Sequence, residues 1–337
     1  MTTPLLQVKN LKTWYPIRRG VLSRTVGHVH AVDGVSLEVH PGETLGIVGE
    51  SGCGKTTLVR TIMGLEHPTA GEVHLGGTRL WPQRHRDTLP LRRRMQMVFQ
   101  DPYSSLNPRM TILDILTEGL LDHGLIRPRE RQSNAVRLLA EVGMEPSVLH
   151  RYPHEFSGGQ RQRISIARAM ALRPELVICD EAVSALDVSV RAQVLNLLLD
   201  LRASHNLAYL FIAHDLGVIR HIAHRVAVMY LGVVVETGPA ADLLKAPVHP
   251  YTRALISAIP APYREARNRI ALSGDVPSAA RPPVGCRFHT RCPFAQDRCA
   301  ASHPPLSPVG PQEGLHSVAC FRAQELTGKP TVNSPNN

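Results

Sequence analysis

Three features of this 337-residue chain predict an α/β fold, a parallel-sheet core built around a phosphate loop. The apolar run Thr44-Leu45-Gly46-Ile47-Val48 leads into Gly49-Glu50-Ser51-Gly52-Cys53-Gly54-Lys55-Thr56-Thr57, and a helical stretch, Leu58–Gly64, follows. A second apolar run, Leu176-Val177-Ile178-Cys179, ends in the acids Asp180-Glu181. Between them lies a long insertion with helical patterning that closes on Phe156-Ser157-Gly158-Gly159-Gln160-Arg161-Gln162-Arg163. Short apolar runs alternating with helical patterns are the signature of strands buried on both faces.

Composition limits the alternatives. Hydrophobic residues make up 43% of the chain, ordinary for a globular protein. No stretch reaches the roughly 18–20 apolar residues of a membrane span. The longest candidate, Val226–Val235, is interrupted by Gly232 and reads as two strands around a turn. No charged-then-apolar leader opens the chain, so a cytosolic location is expected, with membrane contact through a partner. The formal charge of +10 comes from scattered arginines (Arg18-Arg19, Arg92-Arg93-Arg94, Arg161 and Arg163), and aromatics are only 4%. Without a basic stripe interleaved with aromatics, nucleic acid is not an expected partner.

The first element is the phosphate loop. The spacing from Gly49 to Gly54-Lys55-Thr56 matches the full pattern, in the strand–loop–helix context it requires. Glycines let successive N–H groups turn onto phosphate oxygens. Lys55 is expected against the β- and γ-phosphates of ATP, the Thr56 hydroxyl on Mg²⁺, and Thr57 on a further phosphate oxygen, with Ser51, Gly52 and Cys53 lining the loop. At the second acidic strand end, Asp180 is expected to hold Mg²⁺. Glu181 is placed to orient and deprotonate the attacking water, help typically worth about 10²–10⁴ in rate. Ser157, Gly158, Gly159 and Gln160 stand at a helix start, where unpaired N–H groups and the helix dipole favour an anion.

Phosphate loop, SGGQ and acidic strand end, in this order, resemble the nucleotide-binding subunit of an ABC transporter. The resemblance implies a P-loop ABC ATPase core, a RecA-like parallel sheet with an antiparallel β subdomain, plus a helical subdomain. It also implies roles for smaller elements. Gln100, in Met97-Val98-Phe99-Gln100-Asp101-Pro102, matches the Q-loop glutamine that touches metal or water. Asp187, in Ser184-Ala185-Leu186-Asp187, matches the D-loop, and His214, after Tyr209–Ala213, the switch histidine at the γ-phosphate. Tyr15 is favoured over its neighbour Trp14 as the adenine platform. Ala182 stands where this family usually has proline, so the loop after Glu181 is expected to be looser. In the family SGGQ reaches ATP held by a second subunit, implying a dimer with a copy of the chain or a paralogue.

The C-terminal third narrows the resemblance. Ala246-Pro247-Val248-His249-Pro250-Tyr251-Thr252-Arg253-Ala254-Leu255, Leu272–Ser278, Gly285-Cys286-Arg287-Phe288, Phe99–Pro108 and Ala182–Asp200 are similar to ATPases of oligopeptide and dipeptide importers, most of all the F type. Nickel importers share much of this extension, so peptide is the first substrate class and metal chelate the second. A soluble ABC ATPase outside transport is a weaker alternative. Implied partners are two integral-membrane permease subunits and, indirectly, an extracytoplasmic substrate-binding protein, with the chain peripheral on the cytoplasmic face of the inner membrane.

The expected domains are 1–237, the nucleotide-binding domain with its helical subdomain at about 91–164, and 238–337, a proline-rich extension. Within the helical part, Arg129–Val142 places Val136, Leu139 and Ala140 at helix-face spacing. The parallel core is expected to resume through Val235, and Arg18–His30 reads as a basic loop without a derivable role. Of the six cysteines, Cys179 is expected as core filler. Cys53 is also expected as filler, or as a thiol activated by a helix N-terminus. Cys286, Cys292, Cys299 and Cys320 lack the CxxC pairs of common zinc modules. Four thiolates suit an iron–sulfur cluster. The family resemblance implies a 4Fe-4S cluster, with zinc as the alternative and unligated thiols third. Its expected role is to fold a tail that has no core of its own.

Overall fold

The computed structural model describes residues 3–21, 23–80, 85–258, 270–310 and 316–327. They fall into two compact units, one built on Val39–Glu43 and Leu75–Ile212, the other on Gln7–Glu38, Thr44–His74 and the residues from Ala213 onward.

In the first unit, the strand Leu176–Asp180 lies between Met95–Val98 and Ala208–Ile212 and is parallel to both. Every residue of Leu176–Asp180 and of Ala208–Ile212 is buried, which explains why these runs are continuously apolar rather than alternating. The strand Met95–Val98 falls inside the stretch expected to be helical. Four residues are too few to display a period of two, and only the pairing with Leu176–Cys179 makes them a strand. Beyond it the helices are Ile112–Asp122, Arg131–Glu141 and Gly158–Ala171. The first begins with a capping box in which Thr111 and Asp114 exchange hydrogen bonds, and the Arg131 guanidinium pairs with Asp114. The buried stripe of Arg131–Glu141 is Ala135, Leu138 and Leu139, continued by Val142. Of the expected face, Leu139 holds, but Val136 is only partly covered and Ala140 is exposed. The i, i+3, i+4, i+7 set beginning at Ala135 is the more apolar and wins the core.

In the second unit, the long strand Leu6–Arg19 lies between Arg24–Val39 and Ala70–Leu75. The segment 18–30, expected as a loop, is therefore mostly hairpin. Gly20 and Ser23 take positive φ, and the Ser23 N–H donates to the Gly20 carbonyl at 3.0 Å. The phosphate-loop strand Thr44–Val48 is fully buried and runs parallel to Arg225–Tyr230. The chain then reverses through Leu231-Gly232, both at positive φ as a tight hairpin turn requires, and Val233–Pro239 returns antiparallel. The expected two strands around Gly232 are present, but the last is antiparallel, not a continuation of the parallel core.

The C-terminal residues extend this hairpin: Ser317–Val318 pairs antiparallel with Val233–Pro239, and Ser307–Pro308 with Ser317–Val318. The tail has a small core after all, made of Val248, Val309, Val318, Ala323 and Leu326. Its polar anchor is Glu236, fully buried, which accepts from the Val248 N–H (2.8 Å), the His249 N–H (3.0 Å) and His316 Nε2 (2.8 Å). A buried carboxylate without such donors would be strongly disfavoured. His249 then caps the helix Pro250–Ser257, its Nδ1 accepting from the Tyr251 N–H at 3.1 Å. No helix among the described residues is long and apolar enough to cross a membrane.

Candidate nucleotide site

The phosphate loop joins the buried strand Thr44–Val48 to the helix Lys55–Ile62. Its glycines are demanded by close approach. A Cβ on Gly49 would lie 2.2 Å from the Met229 carbonyl oxygen, and one on Gly54, at φ +104°, would lie 2.0 Å from that of Ala31. Backbone of the hairpin Arg225–Pro239 and of the strand Arg24–Val39 thus packs against the loop, and the Gly232 N–H donates to the Cys53 carbonyl at 2.9 Å. The Lys55 ammonium, almost entirely buried, donates to the carbonyls of Gly49 (2.8 Å) and Glu50 (3.0 Å). Ser51, Gly52 and Thr56 are exposed at the mouth of the loop.

Tyr15 stands beside this loop. Burial raises the pKa of its hydroxyl, opposed by neighbouring Thr57 and reinforced by Glu66. The Trp14 ring is engaged elsewhere, 4.1 Å from the His30 ring and under the Lys12 ammonium at 5.3 Å. Cys53 is buried, and desolvation pushes its thiol up despite Lys55, so the activated-thiol reading is corrected in favour of filler. Cys179 is fully buried and pushed up likewise. Ala213, at the end of the expected apolar run, donates its N–H to the Ile47 carbonyl at 3.2 Å, which places the exposed His214 one residue beyond the phosphate-loop strand's ladder.

In the other unit, Asp180 is the buried last residue of its strand. Glu181 follows at φ +49°, a left-handed backbone that turns the chain sharply after the strand. The Gln100 side-chain amide donates to the Glu181 carboxylate at 2.9 Å. The turn after Glu181, expected to be looser because Ala182 stands in place of proline, is fastened by Ser184: its N–H (3.0 Å) and its hydroxyl (2.9 Å) both donate to the Glu181 carbonyl. Asp187 is exposed at the start of the helix Val188–His205, its carbonyl accepting from the Arg191 N–H. Ser157 caps Gly158–Ala171 in a capping box with Gln160, each accepting from the other's N–H. Ser157, Gly158 and Gln160 are exposed, and a Cβ on Gly159 would lie 2.4 Å from Val190 Cγ1. The SGGQ segment is therefore a preformed surface feature, not part of a core.

The four late cysteines line one pocket with His249, Phe288 and Phe294. Burial, followed by the neighbouring sulfurs, pushes Cys286 up to about 11 and Cys292 up to about 12. The donor set is one that soft metals take. Among the described residues, however, no three His, Cys, Asp or Glu side chains are gathered closely enough to ligate one metal ion.

Residues far from the phosphate loop in sequence pack around it and its neighbouring hairpin. Tyr251 Oη accepts from the Glu50 N–H at 2.8 Å, Arg291 pairs with the Glu50 carboxylate at 2.9 Å, and Arg287 donates to the Leu231 carbonyl and pairs with Asp33. Tyr251 and Arg287 lie inside segments read only as family marks, and no local pattern reveals partners some 200 residues away.

Strand, phosphate loop, helix, acidic strand end and capped SGGQ together define an ATP-binding cassette. Comparison with known proteins agrees. The model of the ABC transporter family matches residues 32–184, and that of the oligopeptide/dipeptide transporter C-terminal region matches residues 235–299. A probable peptide ABC transporter ATP-binding protein of Sinorhizobium fredii is 55% identical, over 95% of this chain and 90% of its own length. The oligopeptide transport ATP-binding protein AppF of Bacillus subtilis is 50% identical over 94% of this chain and 96% of its own. Among solved structures, a dimer of the ATP-binding cassette MJ0796 in a post-hydrolysis state with ADP and Pi superposes with a TM-score of 0.62, at 27% identity, over 70% of this chain and 98% of that one. The chain belongs to the ATP-binding proteins of oligopeptide/dipeptide ABC transporters, and it is a transport ATPase.

Proposed function

We propose that this chain is the ATP-hydrolysing motor of a peptide importer. One observation carries this reading: an intact phosphate loop folded around the Lys55 ammonium, in a chain whose C-terminal region matches that of peptide transporters. The domains run 1–237 and 238–337, with the helical subdomain at about 91–164. Lys55 turns from its carbonyl partners to the β- and γ-phosphates, with Gly49, Ser51, Gly52, Cys53, Gly54 and Thr57 around them and Tyr15 under adenine. Thr56, Asp180 and Gln100 are the residues that would hold Mg²⁺, which when bound neutralises charge on the transferring phosphoryl group. Glu181, steadied by Gln100, accepts a proton from the attacking water; the new bond forms to the γ-phosphorus as the bond to the β–γ bridging oxygen breaks. His214 contacts the γ-phosphate.

Ser157–Gln160 and Asp187 serve the ATP of a second subunit, a copy or a paralogue, and the surface exposure of SGGQ supports that use. Closure around ATP and opening after hydrolysis then drive two permease subunits, fed by an extracytoplasmic binding protein, from the cytoplasmic face of the membrane. Cys286, Cys292, Cys299 and Cys320 hold a 4Fe-4S cluster. Their convergence on one pocket supports this over free thiols. Reconstitution with the permease pair and a peptide-loaded binding protein tests the transport reading: ATP-dependent peptide uptake is expected, and uptake of a metal chelate but no peptide would refute it. For the pocket, anaerobically purified protein is expected to be brown with stoichiometric iron, whereas a colourless sample holding one zinc would refute the cluster.

A further inference from the structure

We propose that the C-terminal extension is a working part of the nucleotide site. Arg291 and Tyr251 are positioning residues that hold the phosphate loop in its binding shape by clamping Glu50. The proposal rests on reading the loop as the ATP site and adds what keeps it in form.

Glu50 is the second residue of the loop, and three of its groups are engaged. Its N–H donates to Tyr251 Oη at 2.8 Å. Its carboxylate meets Arg291 at 2.9 and 3.5 Å. Its carbonyl accepts from Lys55 Nζ at 3.0 Å and from the Cys53 N–H at 3.3 Å. The same residue therefore links the extension to the lysine expected to meet the phosphates. A loop rich in glycine has many backbone states, and clamping one peptide from outside reduces the entropy a ligand must remove on binding.

Both clamping residues are themselves fixed. Tyr251 is fully buried, with Tyr230 and Phe288 rings 4.7 and 5.5 Å from its own, and it sits in the first turn of the helix that His249 caps. The Arg291 side chain is 8% exposed and lies over the Tyr230 ring. Two of the four pocket cysteines, Cys286 and Cys292, bracket the segment that carries Arg291, and Arg287 of that segment pairs with Asp33. The pocket and the phosphate loop thus share one short stretch of backbone.

A double-mutant cycle in the full-length chain tests the clamp, using Glu50→Gln, Arg291→Met and their combination, with Arg291→Lys and Tyr251→Phe as milder changes. The readouts are Kd for MgATP, KM, kcat and melting temperature. Each single cycle variant is expected to raise Kd and KM about tenfold while kcat at saturating ATP stays within about twofold, and the double variant is expected to be no worse than either single. Arg291→Lys is expected to recover part of the loss, and Tyr251→Phe to raise Kd about threefold. Folded Lys and Phe variants that bind MgATP like wild type while melting earlier would overturn the proposal, as would additive losses in the cycle. A wild-type chain that fails to bind MgATP would overturn the site assignment itself, a result separable from wild-type binding with unaffected variants.

Discussion

At the residue scale, Glu181 is set by its own turned backbone and by two neighbours, with Ala182 next in the chain. Its backbone is turned to φ +49°, Gln100 holds its carboxylate, and Ser184 fastens its carbonyl with two hydrogen bonds. Positive φ in a residue with a Cβ costs about 1–3 kcal/mol and persists only where surroundings enforce it. Ser184→Ala removes one of the two fastenings. We expect kcat to fall about three- to tenfold with Kd for ATP unchanged, measured by steady-state hydrolysis and nucleotide binding. An equal fall in affinity would show that the turn supports binding instead.

At the element scale, the SGGQ helix start and the Glu236 junction lend themselves to separate tests. Gly159→Ala drives a methyl group toward Val190 and shifts the capped helix start that faces outward. Hydrolysis is expected to fall at least tenfold while each chain still binds ATP, as follows if SGGQ serves a second subunit's nucleotide in the way proposed above. Glu236→Gln leaves one of the gathered N–H donors facing an amide N–H, so stability is expected to drop by about 2–4 kcal/mol in urea melts.

The neighbouring His249 adds a pH dependence. Burial lowers its pKa to about 4, only partly opposed by Glu236, against an ordinary value of 6.5. Between these values the unfolded chain takes up a proton that the folded chain refuses. Stability therefore falls as pH drops from about 6.5 toward 4, by up to about 3 kcal/mol. His249→Asn keeps a capping side chain and is expected to flatten that slope.

At the scale of the whole molecule, what was legible in the sequence was local. The phosphate loop, the buried strand ends at Val48 and Asp180, and the capped start at Ser157 are contiguous patterns whose physics is contained in a few residues. Met95–Val98 was hidden because a four-residue strand exists only through its pairing with Leu176–Cys179. The antiparallel return at Leu231-Gly232, the small core of the tail and the Arg291–Glu50 pair were hidden for the same reason, since each joins residues distant in sequence. The extension could be recognised from its motifs, but its pairing with the hairpin Arg225–Pro239, which lies beside the phosphate-loop strand, could not.

The most direct test of the account is MgATP hydrolysis by the purified chain, wild type beside Glu181→Gln. Wild-type turnover is expected to fall at least about 10²-fold in the variant, with ATP binding retained. Equal turnover in the two proteins would contradict it, because Glu181 would then not be the group that takes the proton from water.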